Sequence, residues 1–157
     1  MGWWVSESSV KGGALRKKTE KYRIDPVKYK KFLEKVELNT IVLDSCTVNT
    51  NRNKTGSNMK LDIRHKVDYT IEEKNSAIIF SSYDLTATKS TKKNFALKAA
   101  CVYRVLLSSE QPITEEFMEI FTNINIQTNT WPYFREFVQS MIQRVGLPPL
   151  TLPFLKQ

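Results

Sequence analysis

Among the 157 residues, the side chains suited to nucleophilic or metal chemistry are a single histidine, His65, and two cysteines, Cys46 and Cys101. A Cys–His pair is geometrically open if these residues share one sheet. A nucleophile needs a substrate beside it, however, and a sheet interior excludes one. One histidine without a C-x-x-C repeat supplies no metal-ligand spacing. The five glycines form no phosphate-cradling loop, and the carboxylates are scattered along polar faces with no pair singled out. The sequence therefore predicts no catalytic residue, no metal, no cofactor and no enzymatic activity. His65 alternates with apolar neighbours and reads as a structural histidine, buried or half-buried. Cys46 and Cys101 lie far apart in apparent strands and read as two buried thiols, with a disulfide as the alternative.

Composition sets the frame for these residues. A mass of 18.2 kDa, 41% hydrophobic and 25% charged residues predict one domain with a core of its own. No apolar run approaches a membrane span, and the first residues lack the apolar stretch of a secretory signal, so a cytoplasmic protein is expected. Met1-Gly2 with Ser6 fits the loose myristoylation pattern and reads as chance beside Trp3 and Trp4. A net charge of +8 and a pI near 9.5 favour acidic partners. Arg52, Lys54, Lys60, Lys89, Lys92 and Lys93 in loops, and Arg16 to Lys18 near the start, keep a nucleic-acid-binding α+β domain as an alternative. The opposing reading is that loop-tip and edge cations serve solubility, and no RRM-type aromatic signature is present.

Residues 1–23 show little periodicity and read as a flexible basic arm ahead of one domain over 24–157. Trp3 and Trp4 are unusual in such an arm. They are expected to rest on the protein's own surface, with a neighbouring subunit's groove as the alternative. Asp25-Pro26 opens a first helix whose stripe is Tyr29, Phe32, Leu33 and Val36. Strands follow over 38–50, 61–72, 77–88 and 94–108. In the second, Leu61, Ile63, His65, Val67, Tyr69 and Ile71 face one way and polar residues the other. In the fourth, Phe95, Leu97, Ala99, Cys101, Tyr103, Val105 and Leu107 share the inner face. Thr114 caps a second helix with Phe117, Ile120, Phe121 and Ile124 as its stripe, and Asn123 to Asn129 read as a connector. A third helix starts at Thr130 with Pro132 in its first turn, buries Phe134, Phe137, Val138, Met141, Ile142 and Val145, and stops at Gly146. The proline-punctuated end carries Leu147, Leu150, Leu152, Phe154 and Leu155, too apolar to hang free, so it is expected on the sheet or on another subunit. Strands in a block followed by helices define an α+β class, a four-stranded antiparallel sheet with helices packed on one face plus an N-terminal helix.

The apolar surplus is the informative feature. The opposite face of the fourth strand carries Ala96, Ala100, Val102 and Leu106, and one small core does not absorb that together with an apolar tail. A homo-oligomer, expected as a tetramer, follows, with Val102, Leu106 and the Phe117, Ile120, Phe121 and Ile124 stripe at its contacts.

The element order over residues 27–155 resembles the SecB export-chaperone family. At motif level the similarity lies in Trp131-Pro132-Tyr133-Phe134-Arg135-Glu136, Ser140-Met141, Arg144, Gly146 and Pro148 to Leu150. The resemblance implies a dimer of dimers with helices between two eight-stranded sheets, and ATP-independent holding of unfolded or nascent polypeptides in long apolar grooves. Export members are acidic and engage the SecA motor through an acidic sheet surface and tail. This chain carries +8 and ends Phe154-Leu155-Lys156-Gln157, so client holding is the part carried over and SecA engagement is not. The extra N-terminal helix is better matched by SecB-like chaperones outside classical export, some of which guard antitoxins, which makes an antitoxin an alternative client. A holder needs adaptable apolar surface. Trp131, Tyr133 and Phe134 at the helix start, Met59 at the end of loop Thr50–Lys60, and Phe154 and Leu155 are the expected client contacts, with core packing the competing role of Phe134, Phe137 and Met141.

Overall fold

The computed structural model describes residues 24–56, 58–89 and 94–155, and the backbone of 3–4 and 10–12. Strand β4 (Met59–Glu73) carries the cleanest alternation, and its burial follows. Met59, Leu61, Ile63 and His65 are buried, whereas Lys60, Arg64 and Lys66 face water. The outer row holds two exposed ion pairs, Arg64–Asp62 at 3.3 Å and Lys66–Asp68 at 3.4 Å, of the kind that contributes little stability.

β4 pairs antiparallel with β5 (Ser76–Lys89), which pairs antiparallel with β6 (Phe95–Ser109). β3 (Val36–Thr50) joins the far side of β6, so the first long strand in sequence becomes one edge of the sheet. At the other edge, β1 (Trp3–Trp4) and β2 (Val10–Gly12) pair parallel with the first half of β4. Five residues of the expected flexible arm are thus hydrogen-bonded to the sheet, with Trp3 opposite Met59. Arg16 to Lys18 lie outside the described residues, as do Lys92 and Lys93.

Phe95 departs from the expected inner row. A register shift between Ala87 and Thr88 sets Phe95 opposite Thr88, and its ring lies under Lys98 Nζ at 4.6 Å on the outer face. Ala96 and Leu97 are both buried beside this bulge.

Helix α1 (Pro26–Leu33) starts as expected, with the Asp25 carboxylate accepting from Val27 N at 3.1 Å. It ends before Val36, which instead opens β3. The larger correction concerns the last two helices. They form one helix, α2 (Glu115–Arg144), and Asn123 to Asn129 are not a connector. Four polar side chains in and beside that stretch return hydrogen bonds to the preceding turn instead of breaking it. Thr122 Oγ1 donates to Met118 O, Asn123 Nδ2 to Glu119 O, Asn129 Nδ2 to Asn125 O and Thr130 Oγ1 to Ile126 O. Pro132 consequently sits inside the helix, and Thr130 is a buried interior residue instead of a cap.

The sheet and α2 enclose two apolar clusters. One gathers Ala77, Ile79, Val105 and Leu107 with Phe117, Met118, Phe121 and Ile126, and α1 adds Tyr29 and Phe32 against Phe117. The other gathers Met59, Leu61, Ile63, Leu85, Leu97 and Ala99 with Trp131, Phe134, Phe137, Val138 and Ile142. α2 stops at Gly146, whose φ of +71° is the left-handed conformation glycine adopts without strain. Arg52 Nη2 donates to the exposed carbonyl of Val145 at 2.7 Å, which ties the β3–β4 loop to the helix end.

Candidate functional site

The polar groups suited to chemistry do meet, but in the core. His65 Nε2 is 2.8 Å from Ser81 Oγ, which is 3.0 Å from Thr130 Oγ1, and Tyr83 OH lies 2.8 Å from the same Thr130 oxygen. The Tyr83 ring stacks on His65 at 4.5 Å and on Phe134 at 4.4 Å. Burial drives His65 down to about 4, so the imidazole is neutral at neutral pH, and burial raises Tyr83 to about 12. A His–Ser contact suggests a nucleophile, yet Ser81 has no exposed surface and no substrate reaches it. The network satisfies polar groups that join β4 and β5 to the centre of α2. Among the described residues no group of three His, Cys, Asp or Glu side chains could hold a metal, and no helix is long and apolar enough to cross a membrane.

The Trp131–Glu136 motif owes its spacing to a clamp. Trp131 and Arg135 are four residues apart, so they share one helix face. Trp131 Nε1 donates to Pro153 O at 3.0 Å, and Arg135 Nε donates to Leu152 O at 2.8 Å. The Arg135 guanidinium also lies 4.3 Å from the centre of the Phe154 ring. Prolines 148, 149 and 153 have no N–H to donate, so the tail cannot join the sheet as a full strand, and helix side chains bind its carbonyls instead. Leu150 and Leu152 then enter the core of the same chain.

Tyr133 projects from a different flank, about 200° round the helix from Trp131. It is 48% exposed, and its ring lies 6.1 Å from that of buried Tyr103 on β6. Beyond Tyr103 is β3, which α2 does not cover. A register shift between Leu43 and Ser45 lets Leu43, opposite Tyr103, and Cys46, opposite Cys101, share the inner face although three residues apart. Leu43 is 45% exposed, and Cys46 is exposed, contrary to the expected buried thiol. Half-buried Ile41 and Val48 flank them. The result is an apolar strip with β3 as its bed, Tyr103 at its edge and Tyr133 as its wall.

The expected client contacts divide accordingly. Met59, Trp131 and Phe134 are buried in the chain's own core. Tyr133 borders the strip, Phe154 is 78% exposed against Arg135, and Leu155 is half-buried against the core. The expected oligomer contacts divide too. Phe117 and Phe121 are interior and Ile120 is half-buried, whereas Ile124 is 62% exposed. Val102 and Leu106 lie half-buried on the outer face of β6. Leu43 and Cys46 were missed, because alternation without a bulge sets them on opposite faces.

An antiparallel sheet with a long helix on one face and an uncovered strip at the edge defines an architecture with known examples. No protein-family model matches the chain, and no curated protein matches it by sequence. Among solved structures it is similar to a SecB-like chaperone of Mycobacterium tuberculosis in complex with a ChAD peptide from the HigA1 antitoxin. The TM-score is 0.70 at 18% identity, covering 83% of this chain and 98% of that chain. A protein of unknown function from Streptococcus agalactiae matches with a TM-score of 0.48 at 10% identity, covering 76% of this chain and 97% of that one. The chain has the α+β fold of the SecB-like chaperone.

Proposed function

We propose that this protein is an ATP-independent holdase, without enzymatic activity, that binds unfolded or nascent polypeptides along the strip between β3 and α2. The observation that carries the reading is the uncovered Leu43–Tyr133 strip on a fold shared with a chaperone solved with a peptide bound. An extended client offers mixed apolar side chains, and a strip of Leu, Val and Tyr accepts them without strict shape. Tyr133, Phe154 and Leu155 are the client contacts this reading retains from the sequence, joined by Leu43.

The reading includes a cytoplasmic homotetramer, a dimer of dimers. β3 is a 15-residue edge with no partner strand on its outer side among the described residues, and such edges pair with another chain or are protected. Pairing of two β3 edges gives an eight-stranded sheet, and Ile124, Val102 and Leu106 are further contacts for copies of the chain. An antitoxin is the client class favoured by the peptide in the M. tuberculosis complex. Engagement of SecA is not part of the proposal, since a net charge of +8 is the wrong sign for it.

Light scattering during refolding of a denatured enzyme tests the function. Stoichiometric suppression of aggregation without ATP, little affected by salt, is expected. Tight oligonucleotide binding that falls steeply with salt, with no suppression, would reverse the reading in favour of a nucleic-acid binder.

A further inference from the structure

Cys46 and Cys101 are direct cross-strand partners in the β3–β6 ladder. Both are free, Cys46 exposed and Cys101 buried. The asymmetry has a structural origin, since α2 covers β6 and stops short of β3. Directly opposed residues in an antiparallel pair point to the same face, with Cα atoms about 4.5–5.5 Å apart. That separation lies within the range a disulfide spans, about 4.4–6.8 Å between Cα atoms, so a bridge requires no strand displacement.

We propose that Cys46 and Cys101 form a thiol–disulfide exchange site that reacts with low-molecular-weight disulfides, Cys46 as the entry thiol and Cys101 as the resolving thiol. The Cys46 thiolate attacks one sulfur of the small disulfide and expels the other half as a thiol. This leaves a mixed disulfide at Cys46. Cys101 then loses its proton, attacks the Cys46 sulfur and expels the second small thiol. In sum, one small disulfide is reduced to two thiols, and the protein dithiol is oxidised to one disulfide by loss of two electrons and two protons.

The surroundings determine which step is slow. Burial pushes the Cys101 thiol up to about 12. Its thiolate is scarce at neutral pH, so resolution limits the reaction and accelerates about tenfold per pH unit below that value. Attack by solvent-borne reagent falls to Cys46, because Cys101 is buried in the core cluster beside its cross-strand neighbour Tyr83. A cross-strand bridge formed this way pins the β3 edge to β6 beside the apolar strip. The site stands whether or not the chain holds clients.

The test incubates the full chain with glutathione disulfide over a range of pH and follows intact mass, alkylation and non-reducing electrophoresis. The expected product is a species lacking two hydrogens, with both thiols protected and a proteolytic fragment linking Cys46 to Cys101 within one chain. Its formation should accelerate with pH as stated. Cys101→Ser, and Cys101→Ala if the buried hydroxyl impairs folding, should accumulate the glutathione adduct at Cys46. Cys46→Ser should remain unmodified while folded. A wild-type chain that stops at the mixed adduct, keeps both thiols alkylatable, or links Cys46 between two chains would overturn the proposal.

Discussion

Stability should fall on mild acidification because of one residue. His65 is the only histidine, and burial lowers it from 6.5 to about 4. In the unfolded chain it titrates near its ordinary value. As pH drops below 6.5 the unfolded state takes up a proton that the folded state refuses until about pH 4. The stabilising contribution is therefore complete above pH 7, falls through the window from 6.5 to 4, and is fully lost below it. The whole window corresponds to about 3 kcal/mol, of which about 1 kcal/mol is lost by pH 5.5 and about 2 kcal/mol by pH 5. The cost is tied to geometry: the ring lies against Tyr83, and its Nε2 faces the Ser81–Thr130 hydroxyls. Protonation would place a positive charge in this enclosure.

Urea unfolding at fixed protein concentration between pH 7.5 and 5.5 measures the slope, and fixed concentration removes the mass-action effect of assembly. His65→Gln is expected to lower stability at pH 7.5 yet flatten the dependence over this window, since glutamine does not titrate. The decisive quantity is the difference in slope between the two proteins. Equal slopes in wild type and variant would refute the argument and mean that the imidazole accepts its proton inside the fold.

The other predictions separate surface from core. Replacing Leu43 and Tyr133 together by Ser should shift unfolding by no more than ~1 kcal/mol, as for exposed residues, while aggregation suppression falls several-fold; unchanged suppression would move the client surface elsewhere. Phe134→Ala should cost ~3–5 kcal/mol, read by denaturant unfolding, because a fully buried ring stacked on Tyr83 is lost. Arg135→Ala should cost ~1–3 kcal/mol and make the segment after Gly146 sensitive to protease, since the Leu152 carbonyl loses its charged donor. Removing residues 1–12 uncovers the backbone of Met59–His65 at the sheet edge and should produce, by light scattering, concentration-dependent species larger than the wild-type assembly.

Legibility in the sequence followed how local each determinant is. The alternation of Leu61, Ile63 and His65 depends only on the two-residue repeat of a strand, and β4 to β6 appear with bounds shifted by one or two residues. Helix α2 shows where locality ends. At 100° per residue Ile126 lies about 140° round from Phe121, so the buried stripe changes face within one helix. A periodicity search reads such a phase change as a break, and Asn123, Asn125 and Asn129 reinforce that reading because asparagine competes for backbone bonds. Only the structure reveals that Asn123 and Asn129 bond backward into the helix while Asn125 accepts from Tyr29 OH, leaving the helix intact. The candidate surface is less legible still. Leu43 faces the same way as Cys46 because of a bulge that neither residue encodes, and their exposure depends on where α2 stops relative to β3. Conversely, Trp131 stands out as an exposed aromatic on the sequence pattern and is buried because a tail twenty residues away folds back onto its indole N–H. Features of partner surfaces are encoded in what an element fails to cover, and that is a property of two elements together.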